Sequence, residues 1–423
     1  MKKILLSLIS VALIIAMLLP MAGCAADDDA NASDSSAESF GNLTQIVTEA
    51  LESEDEKETE TEKKTTAKKT TAKKTETTLK PGVTVAKETL KAKTYKLSEK
   101  SSSFRFIGRS RFISNGIQFD HSASGIEFHG YMTGDVKLTV DTAADSTYYT
   151  IFIDGKRADT RLSTKGNNKT ITIASFKGNY YHTIKILKQT EERWSRTVLK
   201  ELSMTGYLLS APAQRKYHIE VLGDSLTTGY GNLGKKGEGN AQGGNTPLKQ
   251  DATKMYGFLA AEALNADCSV VAWSGIGLDK SYTGTSFGDY YKKYAQNRNS
   301  DPYTYGRAPD VLVIHLGAND STNKATTKEG FVKKGKELIE MIRKGYGKNM
   351  PIIWAYDPNE GVPNYIKEVL NSFGGESSKL YMLELEWQSK NEYWGASGHP
   401  SEAAHKKHAE LLVNLIKSKN LLK

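Results

Sequence analysis

Cysteine is nearly absent from this sequence. Cys24 and Cys268 are the only two in 423 residues, which excludes a disulfide framework as the source of stability. A zinc-ligand set is missing as well. His405 and His408 lie i, i+3 in one helical stretch, but no acidic or cysteine partners accompany them. They read as surface or packing residues. No nucleic-acid motif is present. Residues 25–85 have almost no aromatic and few branched apolar residues. Such a stretch cannot bury enough apolar surface to offset chain entropy, so it is expected to be a disordered linker.

The content that remains is ordinary for a globular chain: 38% hydrophobic and 25% charged, enough for two domains. The net charge is +8, and the basic excess sits in residues 86–216, with 22 Lys and Arg against 12 Asp and Glu. The first 24 residues open with Lys2 and Lys3, continue through the apolar run from Ile4 to Leu19, and end in "PMAGC". This reads as a signal peptide. It resembles a bacterial lipoprotein signal, with Ala22 and Gly23 ahead of a cysteine, Cys24, that is cut free and lipidated. An ordinary signal peptide, cleaved nearby, is the other reading. Acyl chains on Cys24 would anchor an extracellular protein in the membrane, and residues 25–85 would then form a tether across the cell wall. An export signal also argues against a nucleic-acid partner for the basic segment.

Two patterns follow the linker. Residues 86–212 carry short runs of alternating apolar and polar residues, among them "GIEFHGYM", "VKLTV", "YYTIFIDG", "KTITIASF" and "YYHTIKIL". Turn signals stand between them at Asp154–Gly155, 166–168 and 177–179. Period-two runs at this spacing predict an antiparallel β-sandwich, with a jelly roll as the expected form. Residues 213–423 instead hold near-continuous apolar runs ending in polar or glycine residues: "YHIEVLGDS", "DCSVVAWSG", "APDVLVIHLGAND", "MPIIWAYDPN" and "KLYMLELEW". Helical stretches alternate with them. The fold class is therefore α/β, a three-layer parallel sheet preceded by an all-β domain, with ligands expected at the carboxyl ends of the strands.

Four blocks, three at those ends and one just before the last helix, are the candidates to carry chemistry. In "GDSLTTGYG", Gly223 is expected to permit a sharp turn, placing Ser225 where backbone N–H groups face incoming negative charge; a plain N-cap serine is the bland alternative. In "WSGIGL", Gly275 can offer an unobstructed N–H. In "LGANDST", the Asn319 amide can donate, or can cap a loop. In "GHP", Pro400 suits the first helical position, which fixes His399 just before the last helix.

In this order the four blocks resemble the SGNH (GDSL) hydrolases, over most of residues 217–423. The resemblance implies Ser225 as nucleophile and His399 as base, with the Ser225 N–H, the Gly275 N–H and Asn319 forming the oxyanion hole. A β-domain directly ahead of such a domain, with "FRFIGRSRF" and "SGIEFHGYM", is similar to carbohydrate esterase family 2. That implies removal of acetyl groups, with a preference for 6-O-acetyl sugars, from plant polysaccharides such as xylan and glucomannan, and no metal or cofactor. One element of the SGNH pattern is missing. An aspartate belongs three residues before the histidine, where this chain has Ala396; position 397, where some family members have an acid, is Ser397. Some members of the esterase family work as a Ser–His dyad oriented by a backbone carbonyl, and a carbonyl within Trp394–Ser397 is the expected orienter here. Trp394, Trp273 and Tyr282 are candidate sugar contacts. The competing readings are an esterase acting on peptidoglycan or lipid, and a non-catalytic glycan-binding surface lipoprotein.

Overall fold

The structure is a computed structural model and describes residues 89–99, 101–142, 146–239, 247–294 and 301–422. The expected signal peptide, the expected lipidation site Cys24 and the expected linker 25–85 lie outside the described residues. Among the described residues no helix is long and apolar enough to cross a membrane.

The alternating runs form one antiparallel sheet of ten strands. In chain order these are β1 (Ala92–Lys96), β2 (Arg105–Ile107), β3 (Arg111–Ile113), β4 (Gly116–Phe119), β5 (Gly125–Thr142), β6 (Thr147–Ile153), β7 (Lys156–Arg157), β8 (Leu162–Thr164), β9 (Lys169–Lys188) and β10 (Thr197–Leu208). The spatial order is β3-β4-β10-β5-β9-β6-β7, with β1 on β10, β2 on β5 and β8 on β6. Ile117 and Phe119 of β4 share one core with Phe128 and Leu138 of β5, Tyr149 and Ile151 of β6, and Ile184 and Ile186 of β9. Strands this far apart in the sheet can share a core only if the sheet curls around it.

The runs expected as separate strands are partly continuous. "GIEFHGYM" and "VKLTV" are both within β5, and "KTITIASF" and "YYHTIKIL" are both within β9. The "KGN" at 177–179 is a bulge, not a turn. Met132 faces Tyr180 and Gly134 faces Phe176, so three residues of β9 oppose one of β5. Gly134 at φ +65° and Gly178 at φ +80° absorb the mismatch, and the ladder resumes beyond them. The Asp154–Gly155 turn does close a hairpin: both residues have positive φ, and Ile153 faces Lys156.

The continuous apolar runs form a second sheet, all parallel, from β11 (Tyr217–Gly223), β12 (Ala266–Ala272), β13 (Val311–His315), β14 (Ile352–Tyr356) and β15 (Leu380–Glu384). Their order is β12-β11-β13-β14-β15. The winding reverses at β11, whose neighbours connect to opposite sides, and this opens a crevice at its carboxyl end. The helices are α1 (Ser225–Thr228), α2 (Tyr256–Ala263), α3 (Phe287–Tyr291), α4 (Ala318–Thr322), α5 (Lys328–Tyr346), α6 (Pro363–Asn371) and α7 (Glu402–Ser418). One face of the sheet packs against α3, α5 and α6. The other packs against α2 and α7, in a core that also contains Ile107, Ala123, Phe152 and Leu187 from the β-domain. Polar contacts seal the same junction: Arg105 reaches Glu127 and Asp267, and Lys185 pairs with Glu262 at 3.3 Å. Cys268 is buried within this core, and burial pushes its thiol well above the usual range.

Candidate active site

Ser225 stands at the switch point as the first residue of α1. Gly223, which ends β11, is needed for close packing and not for a sharp turn. A Cβ there would lie 2.1 Å from Thr227 Oγ1 and 2.8 Å from the His315 carbonyl oxygen. Asp224 caps α1, its side chain accepting from Leu226 N–H at 3.0 Å. The Asp224 carboxyl is fully buried, and burial raises it to about 7; the bond from Leu226 opposes the shift, Asp320 adds to it, and the bond from Asn319 opposes it.

Asn319 lies in the first turn of α4. Its Nδ2 donates to Asp224 Oδ2 at 3.0 Å and to the Ile276 carbonyl at 2.9 Å. One amide therefore ties together the first three sequence blocks. Both its hydrogens have protein acceptors in this arrangement, so donation to an oxyanion requires exchanging or sharing one of them.

Gly275 has φ +86°. A Cβ on it would have no neighbour nearer than 3.7 Å, so the backbone angle, not space, calls for glycine. Its carbonyl accepts from Tyr282 N–H at 2.9 Å and Ser281 Oγ at 3.2 Å. Its N–H has no acceptor among the described residues.

His399 ends the short turn Ala396–Gly398. Its Nδ1 is 2.8 Å from the Ser397 carbonyl oxygen, within the stretch expected to orient it. Ser397 at φ +55° and Gly398 at φ +67° are both left-handed, and this double turn brings the carbonyl back to the ring. A carbonyl only accepts, so Nδ1 carries the hydrogen and Nε2 is left with its lone pair. Burial depresses the imidazole to about 4, opposed by the Ser397 carbonyl, with Arg193 lowering it further. Position 396 is closed to an acid. Ala396 is fully buried and donates its N–H to the Gly231 carbonyl at 2.9 Å. The backbone of 231–234 is so close that a Cβ on Gly234 would meet that of Ala396 at 2.4 Å. The following helix is capped by Ser401, so Pro400 precedes the cap instead of taking the first helical position.

Tyr230 joins the two halves. Its N–H donates to the Ser225 carbonyl at 3.2 Å, and its ring centroid lies 4.7 Å from that of His399. No hydrogen bond connects the Ser225 and His399 side chains among the described residues; such pairs commonly tighten only around substrate.

Of the three aromatic candidates, Tyr282 is 56% exposed, beside Gly275 and with its hydroxyl 3.3 Å from Thr322. Trp273 packs on Tyr290, and Trp394 packs edge-on to Trp387. His405 and His408 are buried against Tyr256. Sequence reasoning missed the loop between β9 and β10. From it Glu191 reaches the Ser274 backbone, Trp194 stacks on Tyr230, and the Arg193 guanidinium lies over both rings. A Trp inside the charged run "TEERWSR" was the only signal of it.

A parallel sheet in this order, with a GDS turn at its switch point and a histidine ahead of its last helix, defines a GDSL-like hydrolase. Residues 219–412 match the GDSL-like Lipase/Acylhydrolase family, and residues 106–212 match the Carbohydrate esterase 2 N-terminal family. The chain thus resembles carbohydrate esterase family 2, a family of carboxylic ester hydrolases. It is 29% identical over 319 residues to the cellulase/esterase CelE of Acetivibrio thermocellus, covering 72% of this chain and 38% of that protein. It is 25% identical over 244 residues to an acetylxylan esterase/glucomannan deacetylase of Cellvibrio japonicus, covering 55% of this chain and 65% of that one. This chain thus spans less than two thirds of the length of either relative. A family two carbohydrate esterase from Clostridium thermocellum, solved in complex with cellohexaose, superposes with a TM-score of 0.69 at 27% identity, over 75% of this chain and 99% of that one.

Proposed function

We propose that this chain is an extracellular carbohydrate O-acetyl esterase that removes acetyl groups, 6-O-acetyl groups in particular, from plant polysaccharides by a Ser–His mechanism. The observation that carries this reading is the bond from His399 Nδ1 to the Ser397 carbonyl, which leaves Nε2 as a proton acceptor on a ring 4.7 Å from that of Tyr230, whose N–H bonds the Ser225 carbonyl. Ser225 Oγ attacks the acetyl carbonyl while His399 takes its proton. The Ser225 and Gly275 N–H groups, with Asn319, hold the oxyanion. The protonated His399 returns its proton to the departing sugar oxygen. Water, activated by His399, then releases acetate from the acetyl-enzyme. Exposed Tyr282 offers a ring face to the sugar. The names of the relatives support the substrate class, and lipidation at Cys24 would hold the enzyme at the cell surface.

The test is acetate release from 4-nitrophenyl acetate, acetylxylan, acetylated glucomannan and O-acetylated peptidoglycan. The Ser225→Ala and His399→Ala variants should each lose about 10⁴-fold or more in kcat/KM. Preference for O-acetylated peptidoglycan would move the proposal to wall remodelling. No release from any substrate by the wild-type chain would leave glycan binding without catalysis.

A further inference from the structure

The loop between β9 and β10 belongs to the β-domain, yet Glu191 on it is completely buried against the second sheet. Its carboxylate accepts from the Ser274 N–H at 2.8 Å and bonds the Ser274 hydroxyl. Ser274 immediately precedes Gly275. The Ser274 hydroxyl is in turn 3.2 Å from Thr228 Oγ1, which donates to the Ser225 carbonyl at 3.2 Å. Gln250 completes the anchor: its Nε2 donates to the Thr228 carbonyl at 3.1 Å, and its Oε1 accepts from Trp194 Nε1 at 2.8 Å. Hydrogen bonds from the β-domain thus reach the Gly275 turn through Glu191 and the helix that begins with Ser225 through Gln250.

We infer that Glu191 is a positioning residue: it fixes the Ser274 amide so that the neighbouring Gly275 N–H is held toward the reacting acetyl oxygen. This role rests on the esterase reading. Gly275 is in a left-handed conformation and lacks a side chain to pin it, so its N–H direction is set by the bonds on either side. The Gly275 carbonyl is held by Tyr282 and Ser281; among the described residues the preceding amide is held by Glu191 alone. A donor displaced by a fraction of an ångström loses much of its worth to a developing oxyanion. Burial shifts the Glu191 carboxyl upward, opposed by Arg193 and the Ser274 bonds.

Steady-state kinetics of the full chain on 4-nitrophenyl acetate test this, with folding followed by melting temperature. Glu191→Ala should lower kcat about 30-fold with KM within about twofold, since the loss falls on the transition state. Glu191→Gln keeps a carbonyl for the Ser274 N–H and should recover kcat to within about threefold of wild type. Ser274→Ala keeps the amide bond and should change kcat by less than about threefold. If Glu191→Ala does not fold, Glu191→Asp takes its place; its shortened carboxylate should give the same kcat loss. A folded Glu191→Ala or Glu191→Asp with wild-type kcat, or a Glu191→Gln as impaired as Glu191→Ala, overturns the inference and leaves the esterase reading standing. A wild-type chain without esterase activity overturns both.

Discussion

The two halves of the site are held by different means. On the nucleophile side, buried and half-buried side chains do the holding: Asp224 caps the helix of Ser225, Asn319 spans Asp224 and Ile276, and Glu191 grips Ser274. On the base side, backbone does it: the Ser397 carbonyl meets the His399 ring, and the Gly231 carbonyl takes the Ala396 N–H. Carboxylates titrate and can be replaced one at a time. Backbone carbonyls do neither. The supports of the nucleophile should therefore respond to pH and to point substitution, and those of the base to changes in loop conformation.

The largest expected effect among these contrasts is on Asn319. Asn319→Ala removes a candidate oxyanion donor and the strut between blocks, and should lower kcat about 10²–10³-fold; a near-normal kcat would reduce Asn319 to scaffolding. Asp224 comes next. Its folded carboxyl titrates at about 7 against the ordinary 3.8, so the folded chain holds this proton more tightly than the unfolded one. The group therefore lends its full stability below about pH 4 and loses it as pH rises toward 7, with a slope of about 1.4 kcal/mol per pH unit between the two values. Asp224→Asn should flatten that slope in denaturant melts at pH 5 and pH 8. The base side gives the opposite signature. With its imidazole depressed by burial and no carboxylate on its ring to offset this, the acid limb of kcat/KM set by His399 should fall at about 4; a limb at or above 6.5 would mean that an anion reaches the imidazole. Ala396→Asp, which supplies the aspartate of the SGNH pattern, should destabilise the chain by about 1–3 kcal/mol by overpacking against 231–234. The smallest effect is expected from Ser397→Gly, which relieves a left-handed serine and should shift stability by less than about 1 kcal/mol with the carbonyl still in place.

The same contrast explains what could be read in advance. Ser225, Gly275 and Asn319 could be singled out because each lies in a short motif at the end of an apolar run, and His399 because it lies just before the last helix; all five parallel strands were legible as buried on both faces. The orienting carbonyl could be anticipated only as a stretch of residues, because a backbone oxygen has no letter of its own. Glu191 was illegible because its partner Ser274 lies 83 residues further on, and a glutamate between two strands reads as solvated surface. The bulge at 177–179 was misread as a turn because glycine serves either purpose, and only pairing with β5 decides between them.

The core shared by the two sheets has a thermal consequence. Ile107, Ala123, Phe152 and Leu187 pack among the side chains of α2 and α7, so neither sheet can melt without exposing apolar surface of the other. Scanning calorimetry should record one endotherm for the pair, and a chain cut between Leu208 and Tyr217 should yield two fragments that each melt well below the whole.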